Sequence, residues 1–178
     1  MFRNPTSRAQ ILTAVDAQQC FMIDYRSSSS HFSLPASNGA SHIGDNVNGN
    51  NNGSSTSPAE VAGLFVINYQ DPFDERLWKG FVEDWKDALY LHRLVLQKPF
   101  QGVGLTPRIF EFVEQKVRDA GRHYLRLDCL AGNAPLRRLY AEKCRGKGKG
   151  GLKELGTIDV PEWQLEFARF EIQVVPRA

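Results

Sequence analysis

The sequence lacks the features that mark several classes of protein. Its 178 residues contain three cysteines, Cys20, Cys129 and Cys144, and no CxxC pair. An odd and dispersed set of cysteines excludes a disulfide framework and gives no metal-binding pattern, so we expect a reduced compartment and no metal site. No apolar run approaches the ~18 residues of a membrane-spanning helix, and the first ten residues contain no apolar stretch typical of a secretory signal. The sequence therefore predicts a cytoplasmic protein that does not span a membrane.

An excess of one charge is also absent. The chain has 22 Lys and Arg against 20 Asp and Glu, a formal net charge of +2. A chain this close to neutral is not expected to bind nucleic acid or an acidic surface. Because 42% of the residues are hydrophobic, the length suits one domain with a substantial core.

Residues 27–58 differ from the rest of the chain. They hold 10 Ser, 6 Asn and 4 Gly, and Asp45 is their only Asp, Glu, Lys or Arg. Such a segment cannot bury enough apolar surface to offset the entropy lost on ordering. The sequence predicts a disordered insertion at 27–58, between an N-terminal helix and strand at 1–26 and a core at 59–178.

The hydrophobic pattern outside this insertion predicts a mixed α/β sheet. Helices are predicted at 8–19, 106–120 and 133–144, and strands at 20–26, 61–69, 89–96, 123–130, 152–158 and 165–175. Residues 71–86 have the composition of a loop. The strand–helix–strand order from residue 89 onward predicts one parallel pair with a right-handed crossover, and the hairpins on either side predict antiparallel neighbours.

The loop at 97–106 (QKPFQGVGLT) is the most informative segment. Gly102 and Gly104 allow backbone N–H groups to approach a ligand closely. The helix that follows presents unpaired N–H groups and a positive dipole end, which suits a pyrophosphate. A purely structural turn is an equal alternative, because the loop is neither a P-loop nor a complete GxGxxG fingerprint. Thr106 is predicted to cap the helix, with Pro107 at its first position and Gly121 just past its end.

The wider context is similar to a known family. The series LYLHRLVLQKPFQGVGL, an amphipathic helix and then YLRLDCLAGNAPLRRLY resembles the GNAT superfamily of N-acetyltransferases over roughly residues 61–175. The family motif Gln/Arg-x-x-Gly-x-Gly/Ala corresponds to Gln101–Thr106, with Thr106 at its last position. The resemblance implies a mixed, mostly antiparallel sheet with a central splayed parallel strand pair, flanking helices, and acetyl-CoA as the acyl donor.

The resemblance also implies roles for individual residues. The pyrophosphate of coenzyme A would be held by backbone amides of Gln101, Gly102, Val103, Gly104, Leu105 and Thr106. The pantetheine arm would pair with the backbone of Leu94, Val95 and Leu96, and an N–H near Leu94 would stabilise the oxyanion. Asn133 matches a residue that contacts the cofactor arm. Tyr140 matches a general acid that protonates the departing thiolate.

The sequence departs from the family pattern at several places. The last motif position is Thr106, and Pro107 removes one N–H donor, so we expect weakened but not abolished cofactor binding. The family's first strand and helix have no counterpart before residue 20. After the predicted helix at 133–144, a Lys- and Gly-rich run at 143–153 is expected to be a solvated loop, with an anion contact as the alternative.

Each candidate residue also has a structural interpretation. For Tyr140 a core tyrosine is the less favoured alternative, and for Asn133 a helix N-cap is an equal alternative that is compatible with ligand contact. For His92 a packed, hydrogen-bonded role is favoured over that of a general base, and for Asp128 an ion pair with Arg93 or Arg126. Trp78 and Trp85 are expected in the core rather than in an acceptor pocket.

The main functional hypothesis is transfer of an acetyl group from acetyl-CoA to a primary amine in a ternary complex. The acceptor would be a small molecule or a peptide, and near-neutral charge slightly favours the small molecule. No general base is identified, and a water relay to His92, Asp71, Asp74 or Glu75 is the open alternative. A second hypothesis is an acyl-CoA-binding or interaction module without turnover. A homo-oligomer is compatible with both.

Overall fold

The computed structural model describes residues 12–14, 16–17, 19–25, 32–33, 60–143 and 152–174. Seven strands and three helices with defined bounds lie in these ranges, together with two short 3₁₀ turns, and residues 12–14 and 16 are also helical. The strands are β1 Cys20–Tyr25, β2 Phe32–Ser33, β3 Glu60–Asn68, β4 Ala88–Leu96, β5 Tyr124–Leu130, β6 Lys153–Val160 and β7 Leu165–Gln173. The helices are α1 Pro72–Trp78, α2 Leu105–Asp119 and α3 Ala134–Lys143, and the 3₁₀ turns are Lys98–Phe100 and Pro161–Trp163.

The strands follow the order β2-β1-β3-β4-β5-β7-β6 in one mixed sheet. β1 pairs antiparallel with β2 and β3, and β7 pairs antiparallel with β5 and β6. The predicted parallel pair is β4 with β5, and its ladder runs only from Ala88–Tyr124 to Tyr90–Arg126. The predicted mixed, mostly antiparallel α/β fold is confirmed. The short parallel ladder leaves the C-terminal parts of both strands outside this pairing.

Two compact units are present along the chain. The first comprises Met1–Val66 and Arg93–Gln101, and the second comprises Ile67–His92 and Gly102–Ala178. In the first unit the rings of Phe21 and Phe65 stack with centroids 5.2 Å apart. A Cβ atom at Gly63 would lie 2.2 Å from the carbonyl oxygen of Val95. The close approach of β3 and β4 at that point therefore requires a glycine.

The second unit has a core of aliphatic and aromatic side chains. Its members are Leu77, Trp78, Ala88, Tyr90, Val160 and Phe167. The guanidinium of Arg126 is buried beside this core, with Nε 2.8 Å from Glu171 Oε2 and Nη2 2.6 Å from Asp84 Oδ1. A buried charge is tolerated when it is paired in this way. The sequence proposed Arg93 or Arg126 as the ion-pair partner of Asp128. The carboxylates that pair with Arg126 are those of Glu171 and Asp84.

Helix α1 lies where the sequence predicted a loop, so that prediction is wrong. Asp71 caps the helix, since its Oδ1 accepts a hydrogen bond from the backbone N–H of Asp74 at 2.8 Å. Pro72 follows at the first helical position, where its missing N–H removes no intrahelical bond. The dipeptide Asp71-Pro72 was the available signal, but the helix has only seven residues and its periodicity is correspondingly weak.

The start of α2 also differs from the prediction. Gly104, at φ +85°, is the N-cap, and Thr106 and Pro107 are the second and third helical residues. The helix begins earlier because a glycine accepts the left-handed conformation that joins loop to helix. Gly121, at φ +63°, follows the helix end as predicted.

Some predictions fall largely outside the described residues. Within 27–58 only Phe32–Ser33 is described, paired with Asp24 and Tyr25 of β1, so disorder of this segment stays a prediction. Of the predicted helix at 8–19, residues 12–14 and 16 are helical. Cys144 and most of the run at 143–153 lie outside the described ranges. None of the helices within those ranges is both long and apolar enough to traverse a bilayer.

Candidate functional site

The predicted phosphate loop forms an open turn at the start of α2. Gly102 has φ +81° and Gly104 φ +85°, a conformation that residues with a side chain rarely adopt. No atom lies within 4 Å of the position that a Cβ would take at either glycine. Both glycines and Val103 are exposed. The backbone of this turn is therefore accessible to a ligand.

Helix α2 supplies the donors for an anion at this turn. It has 15 residues, and the first N–H groups of a helix have no intrahelical acceptor. The Leu105 side chain is only 3% exposed and anchors the helix start in the core. Pro107, as the third helical residue, contributes no N–H. The N–H groups of Gly104, Leu105 and Thr106 have no intrahelical acceptor, and their binding of a pyrophosphate stays a prediction, with one donor fewer than usual.

The predicted pantetheine contacts on β4 lie in the first unit. Leu94, Val95 and Leu96 form the end of β4, and Val95 is 57% exposed. Gln101 donates a hydrogen bond from Nε2 to the carbonyl oxygen of Leu96 at 3.0 Å. Arg93, at φ +52°, interrupts the extended backbone just before these residues. Their contact with pantetheine stays a prediction.

Asn133 and Tyr140 lie at opposite parts of α3. Asn133 is the N-cap, with its Oδ1 3.2 Å from the backbone N–H of Leu136, and its side chain is exposed. The predicted N-cap role is confirmed and leaves the amide accessible to a ligand. Tyr140 is only 7% exposed, and its ring packs edge-on against Phe170 with centroids 5.2 Å apart. The ring is thus a core element, and the role of its hydroxyl as an acid stays a prediction.

Two of the four candidate bases lie together. His92 Nε2 is 2.7 Å from Asp74 Oδ1, and the imidazole of His92 is 10% exposed. Asp128, on β5, places Oδ1 3.8 Å from His92 Nδ1. The packed, hydrogen-bonded role predicted for His92 is confirmed. Its partner comes from the helix that the sequence did not reveal.

The remaining two candidates have other contacts. Asp71 caps α1 and also accepts a hydrogen bond from Asn68 Nδ2 at 2.6 Å. Glu75 pairs on the surface with Lys79, at 2.6 Å. His92 and Asp74 are therefore the stronger acid–base candidates. In the part of the chain that the structure describes, no three His, Cys, Asp or Glu side chains are grouped to hold a metal ion.

Burial and charge act in opposite directions on the pKa of His92. Burial alone would lower it, but the hydrogen bond and negative charge of Asp74, with the charges of Asp128 and Asp71, raise the pKa above its ordinary 6.5. The imidazole is therefore a proton acceptor of increased basicity. Asp74 itself is fully buried, and no described group donates a hydrogen bond to its Oδ2.

An aromatic wall of Phe73, Trp163 and Phe167 adjoins the imidazole. The ring edge of Phe73 meets His92 with centroids 5.6 Å apart, and Phe73 stacks on Trp163 at 5.2 Å. Phe167 contacts both rings edge-on. Trp163 is 37% exposed, whereas Trp78 is fully buried in the core. Sequence reasoning considered Trp78 and Trp85 but missed Trp163, because nothing in the short turn after Pro161 indicates what it contacts.

Comparison with known proteins agrees with this arrangement. The model of the acetyltransferase (GNAT) family matches residues 57–146, just over half of the chain. These residues include the Gly102–Gly104 turn, His92, Asp74, Asn133 and Tyr140. The chain belongs to the GNAT acetyltransferase family, whose members use acetyl-CoA.

Individual relatives match only parts of the chain. YesJ of Bacillus subtilis (strain 168), an uncharacterized N-acetyltransferase, is 31% identical over 80 residues, which cover 45% of this chain and 43% of YesJ. A GNAT-family acetyltransferase of Listeria monocytogenes 4b F2365 aligns with a TM-score of 0.50 at 24% identity, over 66% of this chain and 60% of its own. This second likeness supports the fold. The yncA protein of Salmonella typhimurium, solved with acetyl-CoA, gives a TM-score of 0.44 at 15% identity, over 67% of this chain and 64% of its own.

Proposed function

We propose that this chain is an acetyl-CoA-dependent N-acetyltransferase that acetylates a primary amine by direct attack in a ternary complex. The observation that carries the proposal is the open turn of Gly102 and Gly104 at the N-terminus of the 15-residue helix α2. It provides unpaired backbone donors for a pyrophosphate within the segment that matches the family.

Different residues of the chain are proposed to bind acetyl-CoA and to assist the transfer of its acetyl group. Acetyl-CoA, when bound, supplies an acetyl group as a thioester. The N–H groups of Gly104, Leu105 and Thr106 bind its phosphates, and the Asn133 side chain contacts its arm. A backbone N–H near Leu94 stabilises the developing oxyanion. The hydroxyl of Tyr140 donates the proton that the leaving sulfur needs.

The acceptor is proposed to be a small-molecule amine. The net charge of +2 supports this preference over a strongly charged peptide tail. A neutral peptide with a free amino group is the alternative acceptor. We also propose a cytoplasmic location, on the basis of the dispersed cysteines.

A second candidate function is acyl-CoA binding without turnover. Two observations support it, namely the loss of one N–H donor at Pro107 and the packing of Tyr140 against Phe170. An N-acetyltransferase should bind acetyl-CoA and transfer its acetyl group, whereas a binding module should bind acetyl-CoA without transfer.

The two candidates are separated by paired measurements on the full chain. A rise in melting temperature with acetyl-CoA reports binding, and release of free thiol in the presence of primary amines reports transfer. The amines would include a polyamine, an amino sugar, an arylalkylamine and a short neutral peptide. Binding with amine-dependent thiol release supports the enzyme, and binding without release supports the module. Absence of binding contradicts both.

A further inference from the structure

We propose that His92 is the base that takes a proton from the acceptor's ammonium group, and that Asp74 is the positioning residue that orients it. The inference rests on the proposed acetyl transfer and names the base for that reaction. It is carried by a juxtaposition within the second unit, where β4, α1 and β5 each contribute one titratable side chain. These are His92, Asp74 and Asp128.

The hydrogen bond to Asp74 fixes the imidazole. A carboxylate can only accept, so Nε2 carries the hydrogen in its 2.7 Å contact with Asp74 Oδ1. In the neutral imidazole this leaves Nδ1 with the lone pair. Asp74 is the third residue of a helix capped by Asp71 and is fully buried, so its carboxylate is held by the helix rather than by solvent. The tautomer and the ring orientation are thereby set together.

The position of Asp128 suits a cationic group. Its Oδ1 is 3.8 Å from Nδ1, which is too long for a direct hydrogen bond. A single ammonium can donate to both atoms, because hydrogen-bond lengths of about 2.8–3.0 Å to each are compatible with that separation. One proton would pass to Nδ1 while the carboxylate stabilises the positive charge of the imidazolium that forms.

The proposed base and the predicted oxyanion donor are close in the sequence. His92 is two residues before Leu94, so their Cα atoms are at most about 7.6 Å apart by the length of two trans peptide units. The imidazole is 10% exposed and adjoins the aromatic wall of Phe73, Trp163 and Phe167. This wall also reduces the access of water to the imidazole.

The proton balance of the step is complete. The ammonium gives one proton to His92 Nδ1, and the resulting amine attacks the acetyl carbon. The C–N bond forms and the C–S bond breaks. The second proton from nitrogen ends on sulfur, and His92 returns its own proton to solvent. One amide, one thiol and one proton are produced for each ammonium and thioester consumed.

The proposal predicts the pH dependence of the reaction. Because Asp74, Asp128 and Asp71 face the imidazole, its pKa lies above 6.5, and kcat/KM should rise with pH through that pKa. Phe73, the other neighbour on α1, carries no charge. In Asp74→Asn the carboxylate charge is lost, so the midpoint of the acidic limb should move to lower pH.

The test compares His92→Gln with His123→Gln in the full chain. His123 is a matched control, since its Nδ1 makes the same 2.7 Å contact with a carboxylate, that of Asp87, but it lies on the surface with a 54% exposed side chain. With acetyl-CoA and the amine panel, we expect His92→Gln to lower kcat by on the order of 10²-fold or more. The melting-temperature rise caused by acetyl-CoA should remain, and His123→Gln should be unchanged in both. At a pH near the acceptor's own pKa, His92→Gln should recover activity, because the amine is then already neutral.

A second readout is independent of turnover. Imidazole NMR titration of the unliganded chain should show His92 titrating with a raised pKa and with its hydrogen on Nε2, and Asp74→Asn should lower that pKa. A His92 that keeps one protonation state across the neutral range contradicts the proposal. So does wild-type activity in His92→Gln, or an equal loss of turnover and of acetyl-CoA binding. If the wild-type chain releases no thiol with any amine, the proposed function fails and the inference falls with it.

Discussion

Single residues determine what the turn before α2 can do. Residues with a Cβ rarely adopt the conformation of Gly104, and no atom lies within 4 Å of the position that its Cβ would take. The effect of a side chain on ligand binding can be separated from its effect on backbone strain, because another glycine away from this turn has the same backbone φ. Gly80 also has φ +85° and no atom within 4 Å of a Cβ position.

Gly104→Val should abolish the melting-temperature rise caused by acetyl-CoA. The substitution costs about 1–2 kcal/mol in left-handed strain and places a branched side chain where the phosphates would lie. Gly80→Val carries the same conformational cost and should retain the rise. Thermal denaturation of both variants, with and without acetyl-CoA, makes the comparison. Retained binding in Gly104→Val would show that the phosphate loop is assigned to the wrong segment.

Tyr140→Phe should separate chemistry from packing. The phenylalanine ring can keep the edge-on contact with Phe170, so stability and acetyl-CoA affinity should change little. If the hydroxyl is the general acid, kcat should fall by on the order of 10²-fold. Steady-state kinetics and acetyl-CoA titration of the variant measure both quantities. An equal fall in turnover and affinity would instead assign Tyr140 to the core alone.

His92 should make the stability of the chain dependent on pH. Asp74 raises the pKa of His92 above 6.5 in the folded chain, against the opposing effect of burial. The imidazolium–carboxylate pair therefore contributes stability that is complete below the unfolded pKa and is lost as pH rises through the folded pKa. The melting temperature of the wild type should approach that of His92→Gln as pH is raised through this range. A difference between them that grows with pH would contradict this sign.

At the scale of elements, the short helix α1 supplies two of the side chains that surround His92. It contributes Asp74 to the contact with His92 and Phe73 to the aromatic wall. The strands and the two long helices could be predicted, because β3, β4, β5 and α2 carry strong apolar patterns. Helix α1 could not, because seven residues give too few turns for a periodic signal. His92 was visible as a candidate, but its pairing with Asp74 required the helix that turns Asp74 toward β4.

Removal of the N-cap of α1 should destabilise the helix that carries Asp74. Asp71→Ala removes the 2.8 Å bond to the Asp74 N–H and the 2.6 Å bond to Asn68. We expect a loss of about 1 kcal/mol in the free energy of unfolding. Glu75→Ala, on the same turn, removes only a surface pair with Lys79 and should cost less. Denaturant unfolding of the two variants tests the order, and a larger loss in Glu75→Ala would contradict the role given to Asp71.

At the scale of the whole molecule, family membership and local geometry support different conclusions. The match over residues 57–146 gives the family and its acyl donor. The turn at Gly102–Gly104 and the contact of His92 with Asp74 give the residues proposed to bind and react. The sequence placed the N-cap of α2 at Thr106, two residues after the observed N-cap Gly104. Threonine is the more usual capping residue, and the hydrophobic pattern does not indicate that Gly104 adopts a left-handed conformation. The aromatic wall beside His92 was not predictable, because it joins Phe73 to residues some 90 positions later in the sequence.

Amine-dependent release of thiol from acetyl-CoA by the full chain tests the central claim most directly. The account predicts that thiol appears only when acetyl-CoA and a primary amine are both present, and that the acetylated amine forms in equal amount. It also predicts that Gly104→Val abolishes the signal and Gly80→Val retains it. A chain that binds acetyl-CoA and releases no thiol with any amine would contradict the claim that it is an N-acetyltransferase.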